Sequence, residues 1–143
     1  MALDQALLAQ GNELTYHRNS QQAACGKYAQ VLSRLATPCR ILEVGCHTGF
    51  FTEVLKNLRH EVIGIDCNSQ AVQYAQNRGL PVLHADIEYA GCFGEFGQPF
   101  DVILLMDVIE HLRSPKQVLT SIRPLLTLPG RLLITVPNVS YWA

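Results

Sequence analysis

"ILEVGCHTGFF", residues 41–51, decides how this chain reads. A short apolar run ends in two glycines, Gly45 and Gly49, directly before paired phenylalanines. An apolar run bounded by glycine reads as a buried strand, and "FFTEVLKNL" after it reads as a helix. The junction is therefore a strand-to-helix turn. Gly45 can take a dihedral there that a side chain forbids. Gly49 lets backbone approach a ligand closely. Two uses of the glycine pair stay open: a tight turn with close helix–strand contact, or a loop that holds a ligand.

The pattern around this stretch alternates. "RILEVG", "HEVIGID", "PVLHAD", "FDVILLMD" and "RLLITVPN" read as five strands. Helical patterns separate most of them. "SQAVQYAQNR" has Asn68 or Ser69 as its cap and Gly79 as its stop. Another helix begins at Ser114-Pro115, a capping serine before a proline at the first helical position, and ends or bends at Pro124. "LPG" reads as the turn into the fifth strand, and "CFGEFGQP" as a glycine-rich loop. Upstream, Ala24, Tyr28, Val31, Leu32 and Leu35 fall near helical spacing, although Gly26 interrupts them. Short apolar strands alternating with helices mean parallel βαβ units covered on both faces. The expected fold is α/β, a doubly wound parallel sheet in a three-layer αβα arrangement. Residues 1–143 are expected to form one domain, with 1–38 an N-terminal helical segment and 39–143 the βαβ core.

Bulk properties narrow the function classes. Formal net charge is −1 and charged residues make up 16%, too weak a footprint for nucleic acid or an anionic membrane. No apolar run reaches the roughly 18 residues that a membrane span needs. The N-terminus "MALDQALLAQ" lacks the basic and long apolar parts of a secretory signal, so a cytoplasmic location is expected. The five cysteines, Cys25, Cys39, Cys46, Cys67 and Cys92, are odd in number and show no C-x-x-C pair. They read as free thiols in a reducing compartment. The five histidines are equally scattered, and no metal site is expected.

Ligands of open α/β sheets sit outside the carboxyl ends of the strands. The 45–49 loop lies at such an end. Asp66 ends the second strand, Asp86 the third and Asp107 the fourth. Asp66 follows Gly45 by 21 positions, a spacing at which a carboxylate accepts hydrogen bonds from both ribose hydroxyls. Each acid alone also reads as a cap or turn residue. Together with the glycine loop they form one constellation on one sheet edge. Nicotinamide dinucleotides use a related loop, G-x-G-x-x-G. Here the pattern is G-x-x-x-G, with His47 and Phe50 where further glycines would stand. A ligand without a pyrophosphate fits better.

In order, "ILEVGCHTG", "VIGID", "HADIE", "FDVILLMDVIEHL" and "GRLLITVPN" resemble the successive motifs of class I S-adenosylmethionine-dependent methyltransferases. "DVIEHL" followed by "LLITVPN" is most similar to the branch containing ubiquinone-type O-methyltransferases and related small-molecule enzymes. The resemblance covers roughly residues 40–140 and implies a Rossmann-like fold with S-adenosyl-L-methionine as cofactor. It implies that Glu43 and the loop Gly45, Cys46, His47, Gly49 face the methionine part. Asp66 would bind the ribose, with Cys67 beside the adenine. Asp86 would take the exocyclic amine of adenine, and the Ile87 amide a ring nitrogen. Met106 and Asp107 would line the pocket. Tyr16, His17 or Arg18 would close over the cofactor. His47 departs from the family pattern, which more often has glycine there; a solvent-facing loop histidine is its usual role, a base the other. Glu110 and His111 either orient the loop after the fourth strand, the commoner role, or His111 serves as general base.

The resemblance also implies two further strands after the fifth, with loops that help form an acceptor site. The last two of the usual seven strands are expected to be absent here, as in a piece of a longer protein. The edge "LLITV" would then be exposed, a liability usually covered by another chain or by further parts of the same one. The function implied is methyl transfer to a small-molecule acceptor. The alternative is a non-catalytic cofactor-binding or interaction module of a larger protein.

Overall fold

The structure, a computed structural model, describes residues 10–13, 26–35, 37–89, 91–93 and 96–138. Tyr16, His17 and Arg18, and the 22–25 part of the first expected helix, lie outside the described residues. The elements are α1 (Gly26–Leu32), β1 (Arg40–Val44), α2 (Phe50–Asn57), β2 (Glu61–Asp66), α3 (Ser69–Asn77), β3 (Val82–His84), β4 (Phe100–Met106), α4 (Pro115–Ile122) and β5 (Leu126–Thr135). Short 3-10 turns occupy Ile109–His111 and Arg123–Leu125.

The five strands form one sheet in the order β3-β2-β1-β4-β5, and every neighbouring pair is parallel. This is the Rossmann-like architecture expected from the alternating pattern. The chain runs outward from β1 through β2 to β3, then returns to lay β4 on the other side of β1. That reversal opens a crevice at the carboxyl end of β1, where a doubly wound sheet holds its ligand.

Alternation along the central strands builds two cores. Ile41, Val102 and Leu104 join Phe50, Phe51 and Leu55 of α2 and Val31 of α1 on one face. Leu42, Val44, Ile103 and Leu105 join Val118 and Ile122 of α4 on the other. Consecutive residues pointing to opposite faces, both apolar, are what a strand buried between two helical layers demands. Tyr28 of α1 stacks edge-on to Phe50 and against Phe51, with centroids 5.3 and 4.9 Å away, and so fixes α1 to the α2 layer. Among the described residues no helix is long and apolar enough to cross a membrane.

Two local details differ from the sequence reading. β5 starts at Leu126, ahead of the "LPG" expected to be a turn. Its pairing passes from Phe100↔Leu126 to Val102↔Arg131, so residues 127–130 are looped out of register within one strand. Pro129 has no amide proton to give a ladder, and a looped-out stretch on the outermost strand accommodates it. Ser114 makes no side-chain cap for α4. Instead the Glu88 carboxylate accepts the amides of Arg113 (2.8 Å) and Ser114 (3.0 Å) from across the sheet edge. Asn68, by contrast, caps α3 as expected, its side chain accepting from Gln70 and Ala71.

Candidate functional site

The loop after β1 is built from backbone geometry that few residues tolerate. Gly45 has φ 75°, and a Cβ placed on it would lie 2.5 Å from Val108 Cγ2. Gly49 has the same φ, and its Cβ would meet Leu80 Cδ1 at 2.7 Å and Ala75 Cβ at 3.1 Å. The two glycines thus do different jobs. Gly45 is at the open end of the loop, against the segment after β4. Gly49 is the close helix–helix contact beneath it. Between them His47 adopts φ 48°, a left-handed conformation uncommon for a residue with a side chain.

Asp66 holds that conformation in place. Its Oδ2 accepts the His47 amide at 2.7 Å, and its Oδ1 accepts the Asn68 amide at 2.8 Å. The carboxylate therefore joins the β1 loop to the start of α3. A carboxylate offers about four lone-pair sites. One on each oxygen remains for a ligand.

A cavity of about 470 Å³ opens over these strand ends. Gly45 and His47 line it from β1, Asp66 and Cys67 from β2, Asp86 and Ile87 from the segment after β3. Met106 and Asp107 line it from β4, and His111 from the 3-10 turn. The topology thus brings together nine of the residues singled out in the sequence. Three others stand behind the loop. Cys46 and Gly49 are buried against α2, α3 and β2. Glu43 is only 4% exposed, and its Oε2 accepts the Thr52 hydroxyl at 2.5 Å in the α2 layer. Among the described residues, no three His, Cys, Asp or Glu side chains converge to hold a metal ion.

Glu43 carries an electrostatic consequence. Burial raises its carboxyl, the Thr52 hydrogen bond lowers it and the Asp66 charge raises it, leaving it at about 7. A carboxyl whose folded value exceeds its unfolded one binds its proton more tightly in the folded state. Its stabilising effect is present below the unfolded value near 4.5 and is lost as pH rises through about 7. The full loss is on the order of 3 kcal/mol. Glu43→Gln removes this titration. Urea unfolding at pH 5 and pH 8 should show the variant's stability falling less than the wild type's across that window. Equal falls would mean that Glu43 is not protonated in the folded protein.

At the β4 end, Asp107 also has a left-handed backbone, φ 56°. Its amide donates to the Thr135 carbonyl and hydroxyl oxygens, both at 3.1 Å. The Thr135 hydroxyl donates back to Oδ1 at 2.8 Å, and the Lys27 ammonium of α1 pairs with Oδ2. Burial pushes this carboxyl up, but the hydrogen bonds from Lys27 and Thr135, with the Lys27 and His111 charges, outweigh it and hold the group below the usual range. At the opposite side, partial burial and then the Asp66 and Asp86 charges push the Cys67 thiol up. It is a neutral contact surface there, not a thiolate.

Lys27, Glu88, Val108 and Arg113 were not singled out by sequence reasoning. Glu88 follows Asp86 in "HADIE", and its amide donates to Asp86 Oδ1 at 3.0 Å, so proximity to that motif was an available signal. Lys27 meets Asp107 across 80 residues and left no local signal.

Residues 16–143 match the family model described as "Methyltransferase domain". A ubiquinone biosynthesis O-methyltransferase of Cereibacter sphaeroides is 39% identical over 106 residues, which cover 66% of this chain and 39% of that protein. The mitochondrial ubiquinone biosynthesis O-methyltransferase of Schizosaccharomyces pombe is 31% identical over 101 residues, 67% of this chain and 37% of that one. The chain thus spans about two fifths of the length of the curated relatives it matches. Among solved structures, the plantazolicin methyltransferase BpumL in complex with SAH has a TM-score of 0.64 at 21% identity, covering 94% of this chain and 52% of that one. A SAM dependent methyltransferase from Aquifex aeolicus has a TM-score of 0.62 at 21% identity, covering 79% and 65%. These two are likenesses of fold.

Proposed function

The chain belongs to the methyltransferase domain family, and from that premise we propose that it binds S-adenosyl-L-methionine in the cavity over β1, β2 and β4 and transfers its methyl group to a small-molecule acceptor. One observation carries the reading. Asp66, Asp86 and Asp107, from three separate strand ends, line one cavity around a glycine loop. A cavity of about 470 Å³ is within the range of small-molecule sites, roughly 300–1,000 Å³. Its acids suit a ligand that carries a sulfonium, an ammonium and ribose hydroxyls.

The residues divide the work along the cavity. Asp66 accepts the ribose hydroxyls with the lone pairs that His47 and Asn68 leave free. Asp86 takes the exocyclic amine of adenine, and the Ile87 amide a ring nitrogen. The backbone of 45–49 faces the methionine part. Glu43 and Cys46 support that loop from behind, a more indirect role than direct contact. Met106 and Asp107 close the β4 side. The bound sulfonium supplies an electrophilic methyl carbon, so the hard chemistry belongs to the cofactor. The protein's contribution is to position the acceptor in line, which supplies several kcal/mol of a barrier by order of magnitude. His111, exposed on the 3-10 turn at the cavity rim, takes a proton where the acceptor must lose one.

Calorimetric titration tests this reading. S-adenosylhomocysteine is expected to bind and NAD not to, and a methyl-transfer assay with a panel of small-molecule acceptors is expected to show turnover. Binding of NAD in preference to S-adenosylhomocysteine would overturn it. Tight cofactor binding without transfer to any acceptor, by this chain or a longer one, would reduce it to a binding module.

A further inference from the structure

Glu88 links two facing walls of the cavity. Its backbone amide donates to Asp86 Oδ1 at 3.0 Å and so engages one of the two oxygens of that carboxylate. Its side chain reaches across the sheet edge. One oxygen accepts the amides of Arg113 at 2.8 Å and Ser114 at 3.0 Å, which stand 25 and 26 residues further along the chain. A helix cap of the usual kind accepts amides inside the first turn, as Asn68 does for α3 with Gln70 and Ala71. Arg113 and Ser114 instead precede α4, which begins at Pro115. They follow on Val108, His111 and Leu112, which line the cavity from the β4 side. Glu88 thus joins the segment that carries Asp86 and Ile87 to the segment opposite. The two amide bonds hold this link. The Arg113 side chain, 3.5 Å from the other carboxylate oxygen, is 86% exposed, and so exposed an ion pair adds little.

We propose that Glu88 is a positioning residue that holds Asp86 and the Ile87 amide at the spacing that tells a 6-amino purine from a 6-oxo purine. This rests on the reading that the cavity takes an adenosyl ligand with its base at Asp86 and Ile87. Adenine presents a donor at its amine and an acceptor at the neighbouring ring nitrogen. Hypoxanthine presents the reverse, a carbonyl oxygen and a ring N–H. A carboxylate oxygen beside a backbone amide matches the first base and opposes the second at both points. That opposition costs affinity only where the two protein groups cannot turn aside, because the selectivity comes from polar groups left unpaired. Asp86 and Ile87 lie beyond β3, which ends at His84, so the strand itself does not fix them. Glu88 does so, from its amide to Asp86 and from its side chain to Arg113 and Ser114.

The test titrates S-adenosylhomocysteine, S-inosylhomocysteine and 2′,3′-dideoxy S-adenosylhomocysteine calorimetrically into wild type and three variants. Wild type is expected to prefer the adenosyl probe over the inosyl one by about 100-fold or more, as a site that hydrogen-bonds its ligand rejects a mismatched analogue. Glu88→Ala should cut that ratio to about tenfold or less. Its discrimination against the dideoxy probe should stay within about twofold of wild type, since the ribose is read elsewhere. Glu88→Asp keeps the charge but is one methylene short of the two amides, so it should lose the base selectivity too, and it carries the test where Glu88→Ala does not fold. Glu88→Gln, whose side-chain oxygen still accepts both amides, should keep most of it. A base selectivity unchanged in Glu88→Ala and Glu88→Asp overturns the proposal, because Glu88 then serves only the fold. So does a matching fall in ribose discrimination, which would mean general loosening. A wild type that binds the adenosyl and inosyl probes equally well also overturns it, and leaves the adenosyl reading of the cavity intact. A wild type that binds no probe overturns that reading, and this one with it.

Discussion

Asp66→Ala raises the dissociation constant for S-adenosylhomocysteine by about 100-fold or more in calorimetric titration. Two ribose hydroxyls bonded to one carboxylate represent two hydrogen bonds to a charged group, each worth about 1.5–3 kcal/mol. Their loss alone spans roughly two to four decades of affinity. The variant also strips the His47 and Asn68 amides of their common acceptor, so the left-handed turn at His47 loses its brace. A 2′,3′-dideoxy analogue of the ligand separates the two effects. If Asp66 reads the ribose, wild type discriminates strongly between ligand and analogue and Asp66→Ala hardly at all. If Asp66 serves only the loop, both proteins discriminate alike, and the ribose assignment is wrong.

Much of this arrangement was legible in the sequence because it is written in local patterns. Apolar runs such as "ILEV" and "VILLM" announced strands buried on two faces, and the sheet carries Leu42 and Ile41 into opposite cores accordingly. The carboxyl ends of those runs announced where Gly45, Asp66, Asp86 and Asp107 would gather, because parallel strands all present the same end to the same edge. Direction was less legible. Glu43 sits two residues before Gly45, but strand alternation turns its side chain into the α2 layer, onto Thr52, not toward the cavity. Gly49 was open to a close approach to a ligand or to a neighbouring element, and the sheet sets it against Leu80 and Ala75. Contacts made across long sequence separation were not legible at all. Glu88 replaces Ser114 at the start of α4, and Lys27 pairs with Asp107, through placements that only the assembled sheet creates. The extent of β5 was misjudged for a related reason. Proline and glycine signal a turn locally, whereas the outermost strand absorbs them as a looped-out stretch.

Gly49→Val is expected to cost about 2–5 kcal/mol of folding stability in urea denaturation. Two penalties add. A side chain at φ 75° pays about 1–2 kcal/mol for the left-handed backbone, more for a branched one. Its Cβ would also stand 2.7 Å from Leu80 and 3.1 Å from Ala75, and over-packing of a tight core adds about 1–3 kcal/mol. Leu80 can retreat at the tip of its side chain. Ala75, a Cβ set on helix α3, can move only if the helix moves. A domain of this size holds about 5–15 kcal/mol in all, so the variant approaches the threshold of folding. Gly79 provides the control. It has φ 74° but open space where its Cβ would stand. Gly79→Val therefore pays the backbone penalty without the packing one, about 1–2 kcal/mol. The difference between the two variants measures how closely α2 and α3 are drawn together beneath the ligand loop. Equal losses at both positions would show that Gly49 serves only its dihedral, and that the loop does not depend on close packing below it.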